Sequence, residues 1–289
     1  MRLPAPLLRR RAPIGAAAAL VLLAGLAAAV PGASGGFTAT LTNGSNTATT
    51  ATYFTCSAAI APDLASAYFE WPLSDGSGAI SGSDLSGNGR TATFVGTTAM
   101  SAATPIGCPR DSGSALVLDG TSTYAYSATS VAAPQVFTIE AYFQTTAKQG
   151  KIIGFGNKST ANSTSYDRHL YITTTGKLSF GVYNSTAPSY HVITSPNAVT
   201  DGAWHHVAAT LSSTGMKLYL DGSLVASDPS TTVAESDTGY WRVGDDNVSG
   251  WPGGTTSGFF AGRLRDVAVY TVALTAQQIA NHAAPTFGS

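Results

Sequence analysis

Between Thr200 and Ser227, Val207, Ala209 and Leu211 alternate with small or polar residues, and Met216, Leu218 and Leu220 resume the alternation after a Ser-Ser-Thr-Gly turn. A period of two predicts two half-buried strands joined as a hairpin. Asp221-Gly222 follows, the dipeptide that most readily supplies positive φ at both central positions of a type I′ turn, so Leu224 and Val225 return as a third strand. Similar runs at Tyr68 to Leu73, Thr91 to Val95, Ala115 to Leu118, Tyr124 to Ser127 and Phe137 to Phe143 read as strands. So do Lys151 to Phe155, His169 to Thr173, Leu178 to Tyr183, Tyr190 to Thr194, Tyr240 to Val243 and Phe259 to Tyr270. The helical signal is terminal, where Thr275 can cap a short helix holding Gln277, Gln278, Ile279 and His282 with Ile279 turned inward. About fourteen strands and one helix predict an all-β fold, a two-sheet antiparallel jelly-roll sandwich with one short C-terminal helix.

Composition agrees with that pattern, since only 11% of the 289 residues are charged and the chain is rich in Gly, Ser, Thr and Ala. Arg2, Arg9, Arg10 and Arg11 stand at the start; without them eleven basic residues face 16 acidic ones, a net of about −5. The folded part therefore has no basic footprint for nucleic acid or for anionic membranes. Arg9 to Arg11, the uncharged run Ile14 to Val30 and the small residues after Pro31 read as an export signal over residues 1–35, and the mature chain is expected to be secreted or held at the cell surface. The alternative is an uncleaved anchor, for which this Ala-rich run falls short of the ~20 strongly apolar residues a spanning helix needs. Residues 36–55 read as a Thr-rich extension or an extra edge strand, and residues 56–289 as one domain. In an exported protein the isolated pair Cys56 and Cys108 is expected to form a disulfide, worth roughly 4 kcal/mol on the chain-entropy model.

Several short motifs occur in one order along the chain. They are Glu70-Trp71-Pro72-Leu73, Asp84 to Gly89, Leu118-Asp119-Gly120, Thr138 to Phe143, Trp204 to Val207, Leu218 to Gly222, Val243-Gly244, Gly262-Arg263-Leu264, Val267 to Tyr270 and Ala273-Leu274-Thr275. Together, from about Tyr68 to His282, they resemble the laminin G-like domains of the concanavalin A-like lectin and glucanase superfamily. Two departures stand out: Arg265-Asp266 replaces the family's usual Asp-Glu, and Ser74 replaces a common Asp. The resemblance implies a secreted, non-catalytic binding module that recognises carbohydrate or an extracellular protein through rim loops. It also implies calcium as a structural cofactor near the Asp84 loop, with Asp84, Asn88 and Asp266 as ligands, although turns without metal fit these residues equally well.

Glucanases of that superfamily carry a Glu-x-Asp-x-x-Glu or Glu-x-Asp-x-Glu run that points two carboxylates into one cleft. Here the three glutamates, Glu70, Glu140 and Glu235, stand in no such run, and Glu140 reads as a half-exposed strand carboxylate. Adjacent His205 and His206 point to opposite faces of a strand and cannot share one ion, so they read as structural. Trp251 lies in an aperiodic Gly/Pro loop with Asp245, Asp246 and Asn247 nearby. Either its ring stacks on a sugar with these neighbours as hydrogen-bonding partners, or it folds over its own loop as a lid. The competing readings are a hydrolase or lyase acting on polysaccharide, and a structural surface protein with no small ligand.

Overall fold

Alternation sets the strands and Gly, Asp and Asn turns separate them over the residues that the computed structural model describes: 41–43, 46–48, 55–102, 113–184, 189–255 and 257–283. The chain divides into two compact units, Met1–Thr52 and Tyr53–Ser289. In the first, β1 (Leu41–Asn43) and β2 (Asn46–Ala48) form an antiparallel hairpin. The expected export signal, most of the Thr-rich extension and Cys108 lie outside the described residues.

The second unit opens with α1 (Cys56–Ile60), capped by the Thr55 hydroxyl accepting from the Ala58 amide, and a 3-10 turn at Ala61–Ser66. Five residues are too few to show a helical period, so the sequence pattern missed this helix. There follow β3 (Ala67–Trp71), β4 (Ser81–Gly82), β5 (Ala92–Val95), β6 (Ala99–Ala102), β7 (Ser114–Asp119), β8 (Tyr124–Ser127), β9 (Val131–Ala132), β10 (Phe137–Gln144) and β11 (Gly150–Gly156). Then come β12 (Tyr166–Ile172), β13 (Lys177–Asn184), β14 (Ser189–Ala198), β15 (Trp204–Ser212), β16 (Gly215–Leu220), β17 (Ser223–Asp228), β18 (Thr238–Val243), β19 (Ala261–Tyr270) and α2 (Ala276–Ala283).

They build the expected jelly-roll sandwich. The first sheet runs β17-β16-β15-β10-β19-β7-β6 with β3 paired to β19; the second runs β14-β13-β12-β11-β18-β8-β5-β4 with β9 paired to β18. The opening strand β3 thus lies against the closing strand β19. At the predicted hairpin Asp221 and Gly222 take φ of 52° and 77°, the left-handed pair of a type I′ turn. Between the sheets the core is aliphatic and aromatic, with Trp241 edge-on to Phe155 and Phe137 at ring separations of 5.2 and 6.3 Å.

One expectation about burial is corrected. β15 is buried on both faces, because Trp204 and Ala208 join Tyr142, Tyr219, Ala268 and Tyr270 under Ile60 of α1 and Ile279 of α2. The same cover corrects Glu140, which is fully buried rather than half exposed. Its carboxylate accepts from the Tyr270 hydroxyl and meets His282 Nδ1 at 3.0 Å, while His206 Nε2 lies 3.4 Å away. His282 Nε2 reaches Asp63 at 2.9 Å, and the Tyr142 hydroxyl donates to the His282 carbonyl. Helix α2, whose capping box pairs the Thr275 hydroxyl with the Gln278 amide, is thereby tied to the sheet by charge as well as by Ile279.

Burial opposes the charged imidazole, but the Glu140 carboxylate and then Asp63 outweigh it and push His282 up to about 9. Burial likewise opposes the Glu140 carboxylate, yet the His282 charge and hydrogen bonds from both histidines hold it well below the usual range. Because the folded value of His282 exceeds the unfolded one, near 6.5, its stabilisation is complete below about pH 6.5 and disappears as pH rises through about 9. Glu140 contributes in the opposite sense, and its share disappears as pH falls through the acid range. Thermal melts between pH 5 and 10 should show the melting temperature falling on the alkaline side, and His282→Gln should flatten that fall while lowering stability at neutral pH. An unchanged alkaline limb in the variant would assign it to other groups.

Candidate functional site

The outer face of the second sheet is covered in part by one loop. Leu170, Ile172, Phe180 and Val182 point into the core, so Tyr171 and His169 on β12 and Gly181 and Tyr183 on β13 face outward. Residues 244–254 fold across this face. The Tyr166 hydroxyl donates to the Ser249 carbonyl at 2.9 Å and the Tyr171 hydroxyl to the Pro252 carbonyl at 2.6 Å, pinning the loop on either side of Trp251. Trp251 is 3% exposed and sits on Gly181, where an added Cβ would come within 2.4 Å of ring atom Cζ3. His169 meets the ring edge-on at 4.5 Å and Tyr190 leans on it at 4.8 Å.

The predicted partners of Trp251 face inward too. Asp245 accepts from Arg242 at 2.9 Å, Asp246 accepts the Ser163 and Asn247 amides, and Asn247 accepts from the Ser249 amide while donating to the Ser163 carbonyl. Asp246 also lies 3.4 Å from the buried Lys151 ammonium, which burial lowers to about 8 against the pull of Asp246. The adjoining His169 is pushed well below its ordinary value by burial and by the Lys151 charge. Gly154 and Gly156 make room for this polar cluster, since a Cβ at either would stand within 2.6 Å of His169, or of Ser163 and Asp246. Asp245 and Asp246 are buried and Asn247 is half-buried, and these groups support the loop from beneath.

Where the cover ends, a hollow of about 310 Å³ opens, lined by Thr164, Ser165, Tyr166, Tyr183, Tyr190, Glu235 and Trp251. Tyr183 and Tyr190 are directly opposed across the β13–β14 hairpin, with ring centres 5.4 Å apart, and Tyr190 is 48% exposed. Aromatic rings in an arc with hydroxyls and a carboxylate at the margin suit a ligand with one apolar face and hydrogen-bonding edges. A hollow of about 350 Å³ elsewhere, beside Gln144, Thr145, Gly202 and Arg263, has no aromatic wall. Sequence reasoning found Trp251 but missed Tyr166, Tyr183, Tyr190 and Glu235; the available signal was a tyrosine at each end of one hairpin.

The residues implied as calcium ligands do not fit an ion. Burial opposes the Asp84 charge, but amide bonds from Glu70, Ser86 and Arg90 hold its value down, and those amides engage both of its oxygens. Asn88 donates to the Ala67 carbonyl, and Asp266 is engaged by Ser57 and Arg265. No group of three His, Cys, Asp or Glu side chains among the described residues is arranged to hold a metal. His205 is structural as expected: Nδ1 meets Asp221 at 2.8 Å and fixes the type I′ turn. Glu70 and Glu140 are buried under the helices, away from any open cleft.

Fold and site together define an antiparallel sandwich with a partly covered outer sheet face. The model of the concanavalin A-like lectin/glucanases superfamily matches residues 119–280, more than half of the chain, and the chain belongs to that superfamily. No curated protein matches it significantly. Among solved structures it is similar to the binding domain of Paraclostridial Mosquitocidal Protein 1, with 13% identity, 75% of this chain and 51% of that one covered, and a TM-score of 0.54. It is also similar to the botulinum neurotoxin type G receptor binding domain, at 12% identity, 75% and 50% coverage and a TM-score of 0.52. The chain spans about half of each toxin domain. Domain 4 of an extracellular GH43 arabinanase from Geobacillus stearothermophilus, in complex with arabinotriose, matches at 17% identity, 70% and 92% coverage and a TM-score of 0.49. At these identities the likeness is one of fold.

Trp251→Ala should cost about 3–5 kcal/mol of stability, as large truncations in packed sites do. Gly181→Ala should also destabilise, by pushing the ring off the sheet. Urea unfolding followed by circular dichroism checks both, and a Trp251→Ala midpoint equal to that of the parent would mean the ring carries no cover.

Proposed function

We propose that this protein is a secreted, non-catalytic binding module and that the hollow between Tyr166, Tyr183, Tyr190 and Trp251 is its carbohydrate site. The observation that carries the reading is the arc of rings with an exposed Tyr190 beside a rim of Thr164, Ser165 and Glu235. Sugars offer C–H faces to such rings and hydroxyls to such rims. Trp251 takes part through its edge and chiefly by holding the floor, while Tyr183 and Tyr190 are placed to stack. The two toxin domains that share the fold are named as binding domains, which is the same class of role. Export by a cleaved signal and a Cys56–Cys108 disulfide belong to this reading, and intact-mass analysis without reductant should find the oxidised pair and no freely alkylated thiol.

A glycan array with the mature protein, run with and without calcium, tests the ligand class. Binding should be independent of calcium, because the Asp84 loop is closed by its own amides. Tyr190→Ala should then weaken binding about threefold to tenfold through lost stacking while leaving the melting temperature within a degree or two. Unchanged affinity in this variant would place the ligand elsewhere.

A further inference from the structure

One carboxylate residue, Glu235, stands among the residues that line the hollow. Glu235 is half buried, and its main-chain carbonyl accepts from Arg168 at 2.8 Å. The other hydrogen bonds of Arg168 go elsewhere: Nε donates to the Pro134 carbonyl, NH1 pairs with Asp167, and the guanidinium lies about 5.8 Å from the Phe137 and Phe155 rings on the core side. Asp167 and Arg168 therefore neutralise one another behind the wall. The next cation, Lys151, sits beneath the Tyr166 ring and is turned to Asp246. Among the described side chains no ion pair holds the Glu235 carboxylate; the Arg168 charge offsets it in part, and Asp237 nearby adds charge of the same sign. Burial and then Asp237 raise the Glu235 value, and the Arg168 charge offsets them only in part.

Resting on the carbohydrate reading of this hollow, we propose that it selects sugars carrying a free amino group, with Glu235 as the residue that sets the preference. A protonated amine placed here meets both things the site offers, the faces of Tyr183 and Tyr190 and a carboxylate that Arg168 compensates only in part. Rings attract a cation through their negative faces, and a half-buried carboxylate gains more from a cationic partner than from a neutral hydroxyl. An N-acetyl group at the same position carries no charge, and a sugar carboxylate would meet Glu235 as a like charge.

Isothermal titration with glucosamine oligomers and with N-acetylglucosamine oligomers of equal length tests this at pH 6, where the amine is protonated. The amine form should bind about tenfold more tightly. Glu235→Gln should remove most of that preference, and Tyr190→Ala should weaken both ligands. Equal affinity for the two oligomers, tighter binding of the acetylated one, or a preference that survives Glu235→Gln would overturn the amine selectivity; a loss in Tyr190→Ala would then still uphold the sugar site. Absence of binding by either oligomer overturns the selectivity as well, and the glycan array separately decides the site.

Discussion

The seat of Trp251 on Gly181 is the contact on which the second sheet's outer face depends. A β-sheet with both faces covered must find apolar cover for each, and helices α1 and α2 provide it for the first sheet only. On the second sheet one ring does most of this, helped by Tyr171 and Val248. Its position requires a residue without Cβ directly below and two tyrosine hydroxyls holding the loop backbone on either side. The edge of the hollow is the edge of this cover, so one packing decision shapes both stability and the site.

Dry cover has a consequence for charge. Lys151, His169, Asp246 and Arg242 lie under or beside the loop with little or no exposure, and an isolated charge there would be far too costly. The chain responds with pairs, Lys151 with Asp246 and Arg242 with Asp245, and with an imidazole kept neutral by burial. The first sheet does the same beneath α2 with Glu140, His282 and Asp63. Such clusters fix the loop and the helix in one arrangement, since a slip of either would strand a charge without its partner.

Much of the fold was legible in the sequence because alternation and turn chemistry are local. The β15–β16–β17 meander, the Asp221-Gly222 turn and the Thr275 cap followed from adjacent residues alone. Burial on the second face did not, since it depends on helices and a loop distant in sequence. Neither did the bulges at Arg168 and Asp266, which take φ of 52° and 44° and where an extra residue reverses the in-out sense of the strand. The Trp251 loop announced itself by lacking a period, but the choice between lid and platform rested on Gly181 across the sheet. Tyr183 and Tyr190 meet only because the hairpin register opposes them.

The carboxylates of this scaffold lie in two very different settings. Glu70 and Glu140 lie on β3 and β10 with β19 between them, and their values diverge: burial and then Asp266 push Glu70 well above the usual range, while Glu140 is held low. In an open cleft that divergence would be the mark of an acid and a base. Here both are at most 1% exposed beneath packed helices, and Glu140 is occupied by Tyr270 and His282. The hollow that is open has Glu235 on its wall, while Asp167 behind it is committed to Arg168. Glycoside cleavage by a carboxylate pair needs two such groups facing one another across the bond. A single carboxylate among rings suits the proposed role of this hollow, to orient a sugar and select its charge.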